Sequence, residues 1–441
     1  MSHFSYQSGQ LMLEGVSADA LAARYGSPLY VYSQQALLDN LAQLRSAFSA
    51  LSPLLCFSIK SCPNLSILRL LGQHGAGMDV VSGGELQRAL RAGVAAEKIV
   101  FAGVGKSAQE LQFALQAGVF LFNVESEGEL ERLDALAASM QVQAQVALRI
   151  NPDVADAATP DKTATGGRQT KFGIPLLQAR QLALRPWKAS KVCGLHVHLG
   201  SPIASVETYL QALDRLELLE RDLHKAGRQI EFINLGGGFP VSYGKAGEQH
   251  DSVQKIGAIL SARLQAWRAA GKHFLLEPGR AIAANAGVLL SRVEYVKQGW
   301  EQRIAIMDAG MHTLLRPTLY EAWHSMWPTR DPQAQGDWLQ VCGAARADLQ
   351  PLDVVGPICE TGDYLALGRP LPNLQQGGLL AVFSCGAYGM SMASQYNSRG
   401  RPAEVLVHGT QHRLIRQAEV QQDLVRHELA CLDQAFSQDS L

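Results

Sequence analysis

The sequence predicts an α/β protein, a (β/α)8 TIM-like barrel joined to a mainly β C-terminal domain that also takes the N-terminal strand. Three observations predict it. Eight short β-rich runs alternate with longer amphipathic stretches between residues 27 and 285. The ends of these runs carry charged and polar residues, where a barrel places its chemistry. After residue 286 the pattern changes to longer strands with hairpin turns. A doubly wound sheet is the other way to arrange alternating units, and the count of eight favours the barrel.

The runs, in order, are "LLCFSIK", "AGMDVVS", "KIVFAGV", "VFLFNVES", "QVALRIN", "VCGLHVHLG", "EFINLGGG" and "FLLEPGR". Helical patterns such as "GGELQRALRAG" and "SAQELQFALQAG" lie between them. Later, "VLLSRVEYVKQ", "RIAIMDAGM", "LDVVGPICETGDYLA", "GLLAVFSCGAYGM" and "EVLVHGTQHRLIR" read as strands, with a turn at Gly409-Thr410. Near the start, "GQLMLEG" reads as a strand of the C-terminal β domain. A short helix follows, with Ser17 as N-cap and Gly26 past its end. The expected domains are therefore 27–285 for the barrel, and 1–26 with 286–441 for the β domain.

Among the 441 residues, 39 Lys plus Arg balance 40 Asp plus Glu, for a net charge of −1. That balance points away from nucleic acid or an anionic membrane as a partner. The seven cysteines are scattered and form no CxxC, so reduced thiols and a cytoplasmic setting are expected. The opening "MSHFSYQSGQ" lacks the apolar core of a signal peptide. No apolar run approaches the roughly 20 residues that cross a bilayer. The end, "SQDSL", is a polar tail.

The strand ends give Lys60, Asp79, Asn123, Glu125, Arg149, Asn151, His196, His198, Gly236-Gly237-Gly238, Glu277 and Arg280. Singly, each has a structural reading: Asp79 caps a helix, Arg149 pairs with an acid, the glycines make a tight turn. Facing one mouth, they suggest chemistry. A lysine there suits covalent attachment of a carbonyl compound. Glycines after a strand expose backbone N–H groups to a phosphate. An acid across the mouth suits a protonated pyridine nitrogen, and a histidine offers a flat face to a ring. Pyridoxal phosphate needs all of these. A metal-dependent barrel hydrolase is a rival from another class, because His196 and His198 share one strand face; the other strand ends supply no further histidine.

Eleven stretches carry a resemblance: "SIKSCPN", "DVVSGGEL", "FAGVGK", "FNVES", "RINP", "HVHLGS", "NLGGGFP", "LEPGRAI", "LLRPTLY", "VVGPICETGD" and "GAYGMSMASQYNSR". In these the chain resembles the alanine-racemase-fold decarboxylases that use pyridoxal 5'-phosphate, most closely the diaminopimelate decarboxylases, in order and over nearly the whole chain. The resemblance implies that Lys60 carries the cofactor, His198 lies against its ring and Glu277 holds its ring nitrogen protonated. Ser201, Gly236, Gly237, Gly238, Gly279 and Tyr388 would hold its phosphate, with Asp79 and Arg149 in support. It also implies a homodimer with shared sites. Cys359 and Glu360 would enter from the other subunit, one to protonate Cα and one to hold the ammonium of the D-centre. Arg280, Arg316 and Tyr320 would clamp the distal carboxylate. The implied reaction is meso-diaminopimelate to L-lysine and CO2.

Two features depart from the family pattern. Pro202-Ile203 follows "HLGS" where glutamine is common, and the loop "ADAATPDKTATGGRQTKFG" holds no residue assignable to substrate. A paralogous decarboxylase acting on carboxynorspermidine or a carrier-linked amino acid is the nearest alternative. A racemase of the same fold is disfavoured by Glu277 and Cys359, and a binding protein without turnover by the complete set of acids and clamps.

Overall fold

Eight parallel strands close into a barrel within the unit Gln34–Ala286 of the computed structural model. They are β1 (Leu54–Ser58), β2 (Gly77–Val80), β3 (Ile99–Phe101), β4 (Leu121–Val124), β5 (Ala144–Asn151), β6 (Ser190–His196), β7 (Phe232–Asn234) and β8 (His273–Leu276). Each pairs with the next, and β8 pairs with β1 to close the ring. The structure describes residues 3–156 and 159–432. Residues 157–158 of the polar loop and the polar tail lie outside them.

The strands are buried nearly throughout, which is why their sequences run apolar instead of alternating. One core layer collects Cys56, Val100, Leu121, Ala147, Cys193 and Leu275. Its two thiols act as small hydrophobes. All seven cysteines are free.

Three successive strand-to-helix corners share one S-x-x-E device. Ser82, Ser107 and Ser126 each accept a bond from the backbone N–H of the glutamate three residues on, at 3.2, 3.3 and 3.2 Å. Those glutamates reach back in turn. Glu85 accepts from Val81 N–H at 2.8 Å, Glu110 from Ser107 N–H at 2.9 Å, and Glu129 from Glu125 N–H at 3.0 Å. Such reciprocal caps satisfy helix-end donors and fix the entry angle of the chain. They stiffen the rim at the C-terminal ends of β2, β3 and β4.

Lys106, buried, strengthens the same rim. Its Nζ donates to the carbonyls of Gly103 and Asn123, both at 2.8 Å, and to Glu129 Oε1 at 2.6 Å. A buried ammonium is tolerated only when its donors are used in this way.

The other unit comprises Met1–Ser33 and Gly287–Leu441. Its main sheet runs, in neighbour order, Tyr364–Leu371, Gln350–Val355, Arg303–Met307, Gly287–Gln298, Leu29–Ser33, Ala403–His408 and Gln411–Arg416. Leu379–Val382 adds to it beside Gly287–Gln298. As expected, the N-terminal strand Gln10–Leu13 joins this unit: it pairs with Phe4–Gln7, whose other edge takes Gly336–Asp337. The hairpin turn falls at Gly409-Thr410, with Gly409 at φ 57°.

Three details differ from the sequence expectation. Residues 27–33, expected with the barrel, hold the strand Leu29–Ser33, which pairs parallel with Ala403–His408 of the β unit. The helix Ala18–Tyr25 starts after Ser17, but the Ser17 hydroxyl takes a bond from Gln10 Nε2 at 2.6 Å and does not cap. The strand expected across "GLLAVFSCGAYGM" stops at Val382. Among the described residues no helix is long and apolar enough to cross a membrane.

Candidate active site

Lys60 stands in a single 3-10 turn, Ile59–Ser61, just after β1. The Ser61 hydroxyl donates to the Ser58 carbonyl at 2.7 Å, and Cys62 N–H to the Ile59 carbonyl at 2.9 Å. This turn ends the strand and projects a half-buried ammonium at the barrel mouth. Its Nζ lies 3.6 Å from Asp79 Oδ2. Asp79, buried on β2, also accepts from Ser58 Oγ at 2.6 Å. Burial and the charge of Glu277 push the Asp79 carboxyl up to about 6, against the pull of Lys60.

Glu277 follows β8 and is buried. Its Oε1 accepts from Asn123 Nδ2 at 2.8 Å and Asn234 Nδ2 at 2.6 Å. His196 Nε2 lies 3.2 Å from its Oε2. Burial would raise the Glu277 pKa, but His196 first and Lys60 with it outweigh that and hold the carboxyl well below its ordinary range. His198 goes the other way: burial first, then the charges of Lys60 and Arg149, lower its pKa well below the usual value. Its Nδ1 accepts from Gly237 N–H at 3.0 Å, which places the proton of the neutral ring on Nε2.

The turn after β7 needs glycines. A Cβ on Gly237 would strike the Glu277 carbonyl, and Gly238, at φ 95°, would strike the Gly200 carbonyl and Ile203. Two of the three backbone donors that the sequence reading assigned to phosphate are used inside the protein. Gly236 N–H donates to Asn234 Oδ1 at 2.9 Å, and Gly237 N–H to His198. Among the described residues Gly238 N–H has no hydrogen-bond acceptor. Tyr209 braces the turn with a bond to the Gly237 carbonyl at 2.8 Å.

Arg280, at the N-terminus of the helical turn Arg280–Ala283 beside Gly279, is buried. Its Nε donates to Ser201 Oγ at 3.0 Å and its Nη1 to the Tyr243 hydroxyl at 2.6 Å. Arg149 pairs with Glu125 at 2.8 Å, 4.8 Å over the Phe172 ring. The polar loop closes onto this rim. Thr165 Oγ1 donates to the His198 carbonyl at 2.7 Å and Thr159 Oγ1 to the Pro202 carbonyl at 2.5 Å.

The remaining candidates lie in the β unit. Arg316 is buried, and its Nη1 donates to His324 Nε2 at 2.7 Å. His324 Nδ1 donates to the Phe383 carbonyl at 2.9 Å, which leaves Nε2 as the acceptor. Tyr320 ends the same helical turn, Arg316–Tyr320, half-buried. Cys359 and Glu360 are exposed in the turn between Gln350–Val355 and Tyr364–Leu371. The Tyr396 hydroxyl donates to Glu360 Oε1, and Cys359 N–H to Asn397 Oδ1 at 3.1 Å. Asp363 ties this turn down by accepting from Met311 N–H and Ile358 N–H, each at 2.6 Å. Tyr388 holds φ 57°, a left-handed conformation costly for a tyrosine and concentrated at functional sites.

His312, two residues from the Gly310 turn, is buried with Nδ1 unbonded among the described residues. Burial and then Arg399 lower its pKa to about 4. The unfolded chain protonates this group near its ordinary 6.5, so it takes up a proton that the folded protein refuses. Stability is therefore lost as pH falls from 6.5 towards 4, by about 2 kcal/mol after solvent screening. His312→Gln is expected to flatten the acid limb of urea-unfolding free energy between pH 7 and 4.5; an unchanged slope would remove His312 as its source.

Asn234, Tyr243, Tyr209, His324 and Asp363 were not singled out from the sequence. Asn234 alone offered a signal, a polar residue ending the apolar run "EFIN". Tyr209 is brought in by the helix Val206–Lys225, and Tyr243, His324 and Asp363 by loops.

These residues fit pyridoxal phosphate. A primary amine stands at the mouth beside Asp79, whose Oδ1 is buried without a bonded partner among the described residues. Glu277, with two amide donors on its Oε1, is an acceptor suited to a protonated pyridine nitrogen. His198 offers a neutral flat ring. The glycine turn leaves bare backbone where an anion can approach. His196 and His198 turn to Glu277 and Gly237. Among the described residues, no group of three or more His, Cys, Asp or Glu is placed to hold a metal ion.

Residues 35–284 match the family model described as "Pyridoxal-dependent decarboxylase, pyridoxal binding domain". The chain is 43% identical to a diaminopimelate decarboxylase of Pseudomonas fluorescens over 431 residues, covering 97% of this chain and 99% of that one. Among solved structures it is similar to the Helicobacter pylori diaminopimelate decarboxylase complexed with L-lysine, with TM-score 0.85, 34% identity, and coverage of 93% and 99%. It is also similar to the M. jannaschii diaminopimelate decarboxylase in co-complex with L-lysine, with TM-score 0.87, 31% identity, and coverage of 96% and 97%.

Proposed function

Because the chain belongs to the pyridoxal-dependent decarboxylases, among the diaminopimelate decarboxylases, we propose that it converts meso-diaminopimelate to L-lysine and CO2 by reaction at the D-centre. The observation that carries this reading is the buried Glu277 carboxylate at the barrel mouth, which accepts from Asn123 and Asn234 and lies beside His196. A racemase of this fold would place an arginine there instead. When bound, pyridoxal phosphate supplies an electron sink for the pair left as CO2 departs.

The protein's own residues do the rest. Lys60 would attach the cofactor and move protons at the substrate nitrogen, with Asp79 beside it. Glu277 would keep the ring nitrogen protonated, and neutral His198 would offer its ring without opposing that charge. In the barrel, Ser201, Gly238 and Gly279 would hold the phosphate, while Gly236 and Gly237 shape the turn. Arg149, fixed by Glu125, supports the strand end that carries His198. Arg280 would take the distal L-carboxylate, for which a guanidinium fork is better suited than an ammonium.

We propose further that the working form is a homodimer in the cytoplasm. Cys359 of a second copy returns the proton to Cα, and Glu360 holds the ammonium of the D-centre. Their exposure in a turn pinned by Asp363 supports delivery to another chain. Cys359→Ala is expected to lower turnover by about 10²- to 10⁴-fold, the range for a lost acid. Mixing it with Lys60→Ala is expected to recover about a quarter of wild-type turnover, since half the dimers would be mixed and each would hold one intact site. No recovery, with exchange of subunits shown separately, would place Cys359 in its own chain's site.

One observation favours a second reading, a decarboxylase for another amino acid. The polar loop bonds to Pro202 where the family pattern commonly has glutamine next. A panel of substrates separates the two readings.

A further inference from the structure

Asn234 is fixed at both ends of its side chain. Its Oδ1 accepts from Gly236 N–H at 2.9 Å, so the amide orientation is set by chemistry, and its Nδ2 must face Glu277, at 2.6 Å. It is fully buried. Asn123, also fully buried, donates the second bond to the same Glu277 oxygen at 2.8 Å. The Asn123 backbone is held in turn, because its carbonyl accepts from Lys106 Nζ. Both bonds therefore fall on Oε1. A carboxylate has about four acceptor positions. With Oε1 saturated and His196 near Oε2, an acceptor position on Oε2 remains for the ring nitrogen.

We propose that Asn123 and Asn234 are positioning residues. They hold Glu277 as an aimed carboxylate, and Asn234 joins that acceptor rigidly to the glycine turn of the phosphate cup. The inference rests on the reading of Glu277 as partner of the pyridine nitrogen. Its physical basis is that a buried carboxylate stays ionised only while donors face it. Remove a donor and Glu277 gains affinity for a proton. A protonated Glu277 no longer holds a proton on the ring nitrogen. The loss of Asn234 also frees Gly236 N–H, so the two ends of the cofactor site are no longer fixed to each other.

The test uses holoenzyme loaded with pyridoxal phosphate carrying ¹⁵N at the ring nitrogen, read by ¹⁵N NMR. Wild-type protein is expected to show a protonated nitrogen. Asn123→Ala and Asn234→Ala are each expected to move the resonance towards the unprotonated value. Each should lower kcat by about 10- to 100-fold, the range for losing a hydrogen bond to a charged group, with KM little changed. Asn234→Ala should also release the cofactor more readily on dialysis. In a Glu277→Gln background neither substitution should move the resonance further, because the carboxylate they act through is gone. Should an alanine variant fail to fold, Asn234→Ser and Asn123→Ser carry the same comparison. A resonance that stays at its protonated position in folded variants, whatever happens to kcat, overturns the inference. An unprotonated nitrogen in the wild-type protein instead overturns the role of Glu277 itself.

Discussion

Lys60→Ala is expected to abolish the visible absorbance of protein-bound cofactor and to reduce decarboxylation by at least about 10⁴-fold. The reasoning begins with its position. The 3-10 turn Ile59–Ser61 fixes the backbone, and Asp79 lies 3.6 Å from the ammonium. Covalent catalysis by a lysine amine has no substitute among the described neighbours of Asp79, and a positioned proton-transfer group alone is worth about 10²–10⁴. The fold should survive, because the side chain is half-exposed and its removal leaves no large cavity. Added methylamine is expected to restore a small part of the rate. A variant that keeps the visible band and binds cofactor irreversibly would show that another amine carries it.

Glu277→Gln is expected to produce the second largest loss, about 10²- to 10³-fold in kcat, comparable to removing one preorganised electrostatic contact. The substitution nearly conserves volume, and a glutamine oxygen can still accept from Asn123 and Asn234. What it removes is the charge. Because Glu277 is ionised well below its ordinary range, the wild-type effect should hold across neutral pH. Rates measured from pH 6 to 9 should therefore show the deficit as a nearly parallel drop. A deficit confined to one limb of the profile would mean that Glu277 acts as a titrating acid or base, and unchanged rates would remove it from the chemistry.

The barrel was legible because its strands are apolar on both faces and its helices are punctuated by caps. Ser107 with Glu110 is a complete capping box, readable from spacing alone. Leu29–Ser33 was not legible as part of the β unit. Its run "LYVYS" looks like any buried strand, and what claims it is pairing with Ala403–His408, at the far end of the chain. Such non-local pairing leaves no local trace. In the site, lysine, arginine and acids at strand ends were conspicuous because burying them is costly. Asn234, a small uncharged amide, is less conspicuous, and so is His324, which sits eight residues after Arg316 and meets it only through a loop. The glycine cluster was read as a phosphate cup. The structure divides its labour, with two N–H groups spent on Asn234 and His198. Cys359 and Glu360 carried meaning only through the letters around them, since an exposed cysteine in a turn has no distinctive physics of its own.

The most direct test of the central claim is CO2 release by purified protein with added pyridoxal phosphate, comparing meso-diaminopimelate with L-lysine, L-ornithine, L-arginine and carboxynorspermidine. Rapid release from meso-diaminopimelate alone, with L-lysine as the product, is the predicted result. Release from one of the other compounds and none from meso-diaminopimelate would contradict it, and would turn attention to Pro202-Ile203 and the loop that bonds to it.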